Sequence, residues 1–148
     1  MEIIEVAGKR YKLASPMERW LGQFLDGLIY LAIILVPLVL IAFVEGARFV
    51  IIIAFVIAIF YLLFQDGLKN GQSFGKRIVK TKVIDSRSGL PCTFGQSFVR
   101  NLLLSILGFI DWIFIVGAKK QRLGDKAAST LVVKVTEVSE GDESALYV

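Results

Sequence analysis

Histidine does not occur in this chain of 148 residues, and cysteine occurs once, at Cys92. Without histidine, the chain lacks the side chain that most often transfers protons near neutral pH. A single cysteine can form neither an internal disulfide nor a cluster of thiolate ligands for a metal. We therefore expect no enzyme, no bound metal and no cofactor.

Charge is absent from two long stretches of the sequence. Residues 27–44 and 49–65 contain no Asp, Glu, Lys or Arg, in a chain that is 55% apolar and has a mean hydropathy of +0.68. With their amphipathic flanks, both stretches reach the about 20 residues that cross a hydrocarbon layer of about 30 Å. We predict two membrane-spanning helices, at about 18–43 and 47–65, which form a hairpin.

A third apolar stretch, from Asn101 to Ala118, is interrupted by Gly108 and Asp111. Its uninterrupted apolar pieces are too short to span a membrane separately. We therefore predict a third membrane segment at about 97–118, a broken or re-entrant helix that enters and leaves on the cytoplasmic side. A plain third crossing stays open as the alternative.

Alternation of apolar and polar residues marks short strands outside these stretches. Residues 78–84 (IVKTKVI) and 133–138 (VKVTEV) alternate in this way, and residues 3–13 favour a strand pair that turns at Ala7 and Gly8. Because an isolated pair of strands is marginally stable in water, we expect all of them to share one small sheet.

Together these segments predict an all-α integral membrane protein with a transmembrane helical hairpin, a third broken or re-entrant helical segment and a small cytoplasmic β-sheet. Residues 1–136 are expected to form one domain, and the acidic residues 137–148 a flexible tail. Basic residues between the second and third stretches place that region and the N-terminus in the cytoplasm. Four of the basic residues are expected to bind anionic lipid headgroups: Lys76, Arg77, Lys119 and Lys120. No nucleic acid is expected as a partner, because no recognition element accompanies the charge.

The first apolar segment carries one polar face. Arg19, Gln23, Asp26 and Tyr30 fall within an arc of about 60° on a helix. If Trp20 lies at the membrane interface, Asp26 lies about 9 Å inside it, at a rise of about 1.5 Å per residue. An unpaired carboxylate there costs on the order of a few kcal/mol, so we expect a cation, a proton or water at Asp26.

Distant parts of the chain supply the expected partners of this face. Arg100, at the start of the third stretch, is the expected cation for Asp26. Asp125 is expected either to cap a short helix or to pair with Arg19 or Arg77.

Arg19 and Asp26 are followed along the chain by three further recognisable stretches: 71–85 (GQSFGKRIVKTKVID), 90–104 (LPCTFGQSFVRNLLL) and 121–133 (QRLGDKAASTLVV). In this combination and order the sequence resembles the RDD family of bacterial membrane proteins, which is named for one arginine and two aspartates. The resemblance covers about residues 15 to 135 and implies that Arg19, Asp26 and Asp125 are these three residues. The chain departs from the family at Gly124, where members often have histidine, so a proton relay through that histidine is not expected here.

The resemblance implies a bacterial inner-membrane protein that transports or exchanges a small monovalent cation or a proton. A carboxylate in a low-dielectric site can bind either one, which is the minimum that such exchange requires. Two spans and one short membrane segment have too little surface to enclose a transport pathway. Transport therefore requires an oligomer, which we expect to be a homodimer. The alternative is a non-transporting scaffold, or a module that binds lipid or protein, in which the charged set is structural. The candidate ion or proton site comprises Asp26, Arg19, Asp125, Arg100 and Asp111, with Gln23 and Tyr30 as a supporting polar face.

Overall fold

The computed structural model describes residues 2–41, 43, 48–108 and 121–137. This part of the chain contains four strands, five α-helices and two 3₁₀ turns, at Gln65–Gly67 and Lys69–Gly71. In chain order the strands and α-helices are β1 (Ile3–Val6), β2 (Lys9–Leu13), α1 (Pro16–Ile41), α2 (Arg48–Phe64), α3 (Phe74–Ile78), β3 (Thr81–Asp85), α4 (Phe94–Leu107), α5 (Leu123–Ala127) and β4 (Thr130–Glu137).

Two helices form the long apolar part of the molecule. α1 begins with a reciprocal cap, since Ser15 Oγ accepts a hydrogen bond from the Glu18 N–H at 3.2 Å and the Glu18 carboxylate accepts one from the Ser15 N–H at 2.9 Å. Within the described ranges, two segments are long and apolar enough to cross a membrane, Pro16–Ile41 and Phe49–Gly67. The prediction of two apolar helices therefore agrees with the structure.

The burial pattern of α1 is the reverse of the pattern in a water-soluble helix. Its buried residues are Arg19, Gly22 and Asp26. Apolar side chains on the same helix, such as Leu35 and Val39, are exposed. Soluble helices bury their apolar face and expose the polar one, so α1 suits a hydrocarbon environment.

The four strands form one antiparallel sheet in the order β1-β2-β4-β3. β1 and β2 are joined at Ala7 and Gly8, whose φ angles of 50° and 75° are those a two-residue hairpin turn requires. One face of the sheet packs a core of apolar side chains. The buried members of this core are Val6, Tyr11, Leu13, Ile84, Leu131 and Val133.

The predicted all-α fold class is wrong, because this antiparallel sheet joins elements from both ends of the chain. The strand pair at residues 3–13 is confirmed. β3 starts at Thr81 rather than at residue 78, because the Ser73 side chain caps α3 and the helix takes up the first alternating residues. β4 starts three residues before the predicted 133 and pairs with β2 and β3.

The third apolar stretch begins as α4, which Thr93 and Gln96 start with a capping box. α4 ends at Leu107, and Gly108 follows with a φ of 53°. α4 has 14 residues and, within the described ranges, is not among the candidate membrane spans. Residues 109–120, with Asp111, lie outside the described residues. Of the predicted tail, 137–148, Glu137 is the last residue of β4 because it pairs with Tyr11 of β2, and residues 138–148 lie outside the described residues.

Candidate functional site: a buried charge network

Seven charged side chains lie together inside the molecule, where the helical hairpin meets the sheet. Each of them is at most 5% exposed. They come from α1, the first 3₁₀ turn, α3, α4, α5 and the residue before α5. The seven residues, which we call the charge network, are Arg19, Asp26, Asp66, Lys76, Arg100, Arg122 and Asp125.

Asp26 is surrounded by donors from other elements. The Tyr61 hydroxyl and the Gly75 N–H each donate to its Oδ1 at 2.8 Å. The Ser73 hydroxyl donates to Oδ2 at 2.5 Å, and the Lys76 ammonium lies 3.5 Å from the same oxygen. A carboxylate has about four acceptor positions, so these four donors account for all of them.

Lys76 connects Asp26 to a second carboxylate. Its Nζ lies 2.6 Å from Asp66 Oδ1, in addition to its contact with Asp26. On the other side of Asp66, Arg100 Nε lies 3.5 Å from Oδ2, to which Asn101 Nδ2 donates at 3.2 Å. One ammonium therefore bridges the carboxylate of α1 and the carboxylate that follows α2.

Asp125 is held by three guanidinium groups. It forms an ion pair with Arg19, Arg100 Nη2 lies 3.0 Å from its Oδ1, and Arg122 Nη2 lies 3.5 Å from the same atom. The Arg122 N–H also donates to its Oδ2 at 3.2 Å. Burial alone raises the pKa of Asp125, but the nearby guanidiniums of Arg100, Arg19 and Arg122 outweigh it and hold that pKa well below its usual range.

Two glycines permit the close approach of these elements. A Cβ atom on Gly75 would lie 2.3 Å from the Gly22 carbonyl oxygen and 2.9 Å from Asp26 Cγ. A Cβ atom on Gly124 would lie 2.6 Å from the Arg100 carbonyl oxygen. Because neither has a side chain, α3 packs directly on α1 and α5 packs directly on α4.

The network is continuous and carries a small positive charge. It runs from Asp26 through Lys76, Asp66 and Arg100 to Asp125. With all groups ionised, four cations face three carboxylates. Desolvating these charges is costly, and the loss of one partner from a buried pair typically destabilises a protein by about 3–5 kcal/mol, because the other charge stays buried. The network therefore ties the hairpin, α4 and α5 to one geometry.

A small cavity adjoins Asp26. Its volume is about 50 Å³, and Asp26, Tyr61 and Gln65 are among its lining residues. Gln65 is 1% exposed, and its Oε1 accepts no hydrogen bond from the residues that the structure describes. A cavity of this size has room for water, although most of its lining surface is apolar.

The structure brings together most of the residues that the sequence assigned to an ion or proton site. The expected pair of Arg19 with Asp125 is present. The cation at Asp26 is Lys76 and not the expected Arg100, which contacts Asp66 and Asp125 instead.

The remaining residues that the sequence assigned to this site are the supporting polar face, the possible helix cap and Asp111. Gln23 and Tyr30 line the cavity beside Asp26. Asp125 is the third residue of α5 rather than its cap, because the helix starts at Leu123. Asp111 lies outside the described residues.

The residues expected at lipid headgroups differ in their positions. Lys76 is 3% exposed and paired with Asp66, so the structure does not support its assignment to lipid; the two carboxylates draw it inside. Arg77 is exposed, and its guanidinium lies 5.2 Å from the centre of the Phe74 ring. Lys119 and Lys120 lie outside the described residues.

Sequence reasoning missed Asp66. It is 0% exposed and is the link between Lys76 and Arg100. The available signal was its position, because an acidic residue at the end of an apolar helix faces the same burial cost as Asp26.

The expectation that the chain is no enzyme took the sequence to lack a G-x-S-x-G pattern, but residues 71–75 (GQSFG) have this spacing, which is typical of a nucleophile elbow. Ser73 is 0% exposed, donates to Asp26 and caps α3. A nucleophilic serine needs an adjacent base and access to substrate, and this serine has a structural role instead. Across the described ranges, no group of three or more His, Cys, Asp or Glu residues is arranged to hold a metal ion.

Comparison with known proteins finds one family and a few relatives. The model of the RDD family matches residues 13–129. A proline-rich antigen homolog of Mycobacterium tuberculosis is 35% identical over 82 residues, which are 51% of this chain and 34% of the relative. The proline-rich antigen of Mycobacterium leprae is 32% identical over 91 residues, 55% of this chain and 36% of the relative. The chain thus spans about a third of the length of the curated relatives it matches. No solved structure matches.

Proposed function

We propose that this chain, which belongs to the RDD family of membrane-associated proteins, is a membrane-anchored scaffold whose charge network fixes the sheet to the helical hairpin. On this proposal the hairpin anchors the molecule in the bilayer. The sheet and the short helices then present a rigid platform at one membrane face. The chain has no catalytic role.

The observation that carries this proposal is the environment of Asp26. Its four acceptor positions are taken by donors from Tyr61, Ser73, Gly75 and Lys76. A transported proton or cation would have to displace one of these donors before it could bind. An ammonium 3.5 Å away also opposes a further positive charge. This geometry favours a structural role over ion exchange.

The proposal assigns partners by charge and position. Arg77 is exposed on α3 and suits an anionic lipid headgroup at the bacterial inner membrane, with the N-terminus and the sheet in the cytoplasm. The platform then suits the remainder of a longer protein or a protein partner, since the relatives are about three times as long as the matched part.

Hydrogen exchange in lipid vesicles tests the scaffold. In the Asp125→Asn variant we expect amide exchange to rise together in α3, α4 and α5, because each of these helices carries a residue of the charge network. Glu18→Gln is the matched control, since Glu18 pairs at 2.5 Å with Lys134 at a partly exposed position. A rise in amide exchange confined to α5 would show that the charge network does not connect α5 to the other helices.

Ion exchange is a second candidate, and the cavity beside Asp26 favours it. Five of the seven residues that line the cavity carry a side-chain oxygen, although most of the lining surface is apolar, and the Oε1 of one of them, Gln65, accepts no hydrogen bond from the described residues. A small monovalent cation or a proton is the ligand that such oxygens suit, with a homodimer supplying the walls of a pathway.

Flux measurements separate the two candidates. Vesicles that hold a pH-sensitive dye are loaded with purified protein, and a sodium or potassium gradient is applied. The scaffold predicts the same proton movement as in empty vesicles. Ion exchange predicts a cation-dependent movement that Asp26→Asn abolishes while the variant stays folded, and Glu18→Gln retains it.

A further inference from the structure

α4 is amphipathic, but it buries its polar face and exposes its apolar face. Ser97, Arg100 and Asn101 are its buried residues, all at most 1% exposed. The side chains on its opposite face are exposed and apolar. They are Phe94 at 52%, Phe98 at 37%, Val99 at 38%, Leu102 at 36% and Ile106 at 70%. A helix at a water-facing surface has the opposite arrangement.

The outward face spans an arc of about 140° on a helix and carries no charged residue, at 100° per residue. Ser105, which lies on this arc, is exposed, but its hydroxyl donates back to the Asn101 carbonyl at 2.8 Å. A serine that satisfies its own hydroxyl in this way is tolerated in hydrocarbon. The face therefore has no polar group that requires water.

This face is continuous with the apolar surface of α2. The Phe64 ring of α2 stacks on Phe98 at 5.8 Å and meets Phe94 edge-on at 6.1 Å, between ring centres. Phe64 also contacts Phe60, which is 57% exposed on the same helix. Since α2 is one of the two candidate membrane spans, the aromatic cluster carries its apolar surface onto α4.

We propose that the outward face of α4 is a lipid-binding surface, on which Phe94, Phe98 and Ile106 contact acyl chains while the opposite face contacts the charge network. α4 then lies along the boundary between headgroups and acyl chains without crossing the bilayer. The polar side of α4 faces protein. The guanidinium of Arg100 is therefore tolerated near the acyl chains, where an unpaired cation would be unfavourable. The inference rests on membrane association but not on whether the network is a scaffold or an ion site.

Spin labels on single cysteines test this surface. In a Cys92→Ala background, labels are placed at Val99, Leu102 and Ile106, and the protein is reconstituted into phosphatidylcholine–phosphatidylglycerol vesicles. Collisions with dissolved oxygen, which concentrates in hydrocarbon, are compared with collisions with a water-soluble nickel chelate. We expect the ratio of oxygen to nickel collisions to lie well above the ratio at Arg87, an exposed loop residue, and below the ratio at Val56 in the middle of α2, which is 60% exposed, because oxygen concentration rises toward the centre of the bilayer.

Each other outcome of this experiment overturns the proposal. Nickel collisions at the level of Arg87 would place the face in water. A label that neither reagent reaches would place the face against another protein segment or a second copy of the chain. The control at Val56 separates these results from a failure of membrane insertion, because that label then loses its high ratio as well.

A second measurement uses the unaltered protein. A carbene precursor that dissolves in the bilayer is activated by light, and the labelled peptides are identified by mass spectrometry. We expect label on residues 94–106 as well as on α2. Label on α2 alone would contradict lipid contact at α4.

Discussion

Arg19, in the first turn of α1, forms a buried ion pair with Asp125, which lies 106 residues further along the chain. The pair joins the start of a helix that is long and apolar enough to cross a membrane to a short helix that leads into the sheet. Arg100 and Arg122 contact the same carboxylate, so three cations converge on Asp125.

Asp125→Asn should lower the free energy of unfolding by about 3–5 kcal/mol, because three guanidiniums then remain buried beside a neutral side chain. The measurement is a denaturant titration in detergent micelles. Glu18→Gln is the control, since the Glu18–Lys134 pair is partly exposed and such pairs contribute about 0–1 kcal/mol. Equal losses in the two variants would contradict the account.

The stability of the protein should fall in acid. The pKa of the Asp125 carboxyl is lower in the folded protein than in the unfolded chain, so its contribution is complete above the unfolded value of about 4 and is lost as the pH falls through the folded value. Denaturant titrations at several pH values below 5 give the free energy of unfolding as a function of pH. Its slope against pH should be smaller in Asp125→Asn than in the unaltered protein. Identical slopes would mean that this carboxyl does not contribute.

Gly75→Ala should disrupt the contact of α3 with α1. Its Cβ would lie 2.3 Å from the Gly22 carbonyl oxygen, and such overpacking costs about 1–3 kcal/mol. The matched control is Gly95→Ala in α4, where an added Cβ meets nothing within 4 Å and should be neutral or stabilise by up to about 1 kcal/mol. The thermal unfolding temperature should therefore fall in Gly75→Ala and stay the same or rise in Gly95→Ala, and an equal fall in both variants would rule out this role of Gly75.

The Cys92 thiol should be unreactive in the folded protein. Burial raises its pKa to about 11, so almost no thiolate is present near neutral pH, and the side chain is 4% exposed. Modification by a maleimide at pH 7.5 should be slow until denaturant is added. An exposed cysteine introduced by Ser88→Cys, tested with Cys92→Ala, is the control and should react at once. Fast modification of native Cys92 would show that this part of the core opens.

The long apolar runs and the short alternating segments of the sequence predicted much of the fold. Each of the two long helices is mostly apolar, and an uncharged apolar run of about 20 residues is typical of a membrane-spanning helix. The strand pair at residues 3–13 was predictable because Ala7 and Gly8 mark its turn. β3 was predicted too long, because alternation alone does not reveal that Ser73 caps a helix just before it.

The partners of the buried charges were harder to predict. The family resemblance identified Arg19 and Asp125, and the structure pairs them. Lys76 was assigned to lipid, because a lysine near a membrane usually reaches outward. Its inward position depends on two carboxylates, Asp26 and Asp66, that only the tertiary fold brings within reach.

A double-mutant cycle on Arg19 and Asp125 tests the central claim most directly, namely that the buried charges hold the hairpin to the sheet. The free energies of unfolding of Arg19→Met, Asp125→Asn and the double variant are compared with that of the unaltered protein. The account predicts that the double variant loses less than the sum of the single losses, by at least about 1 kcal/mol. Losses that add to within about 0.5 kcal/mol would contradict it, because two side chains in contact should not act independently.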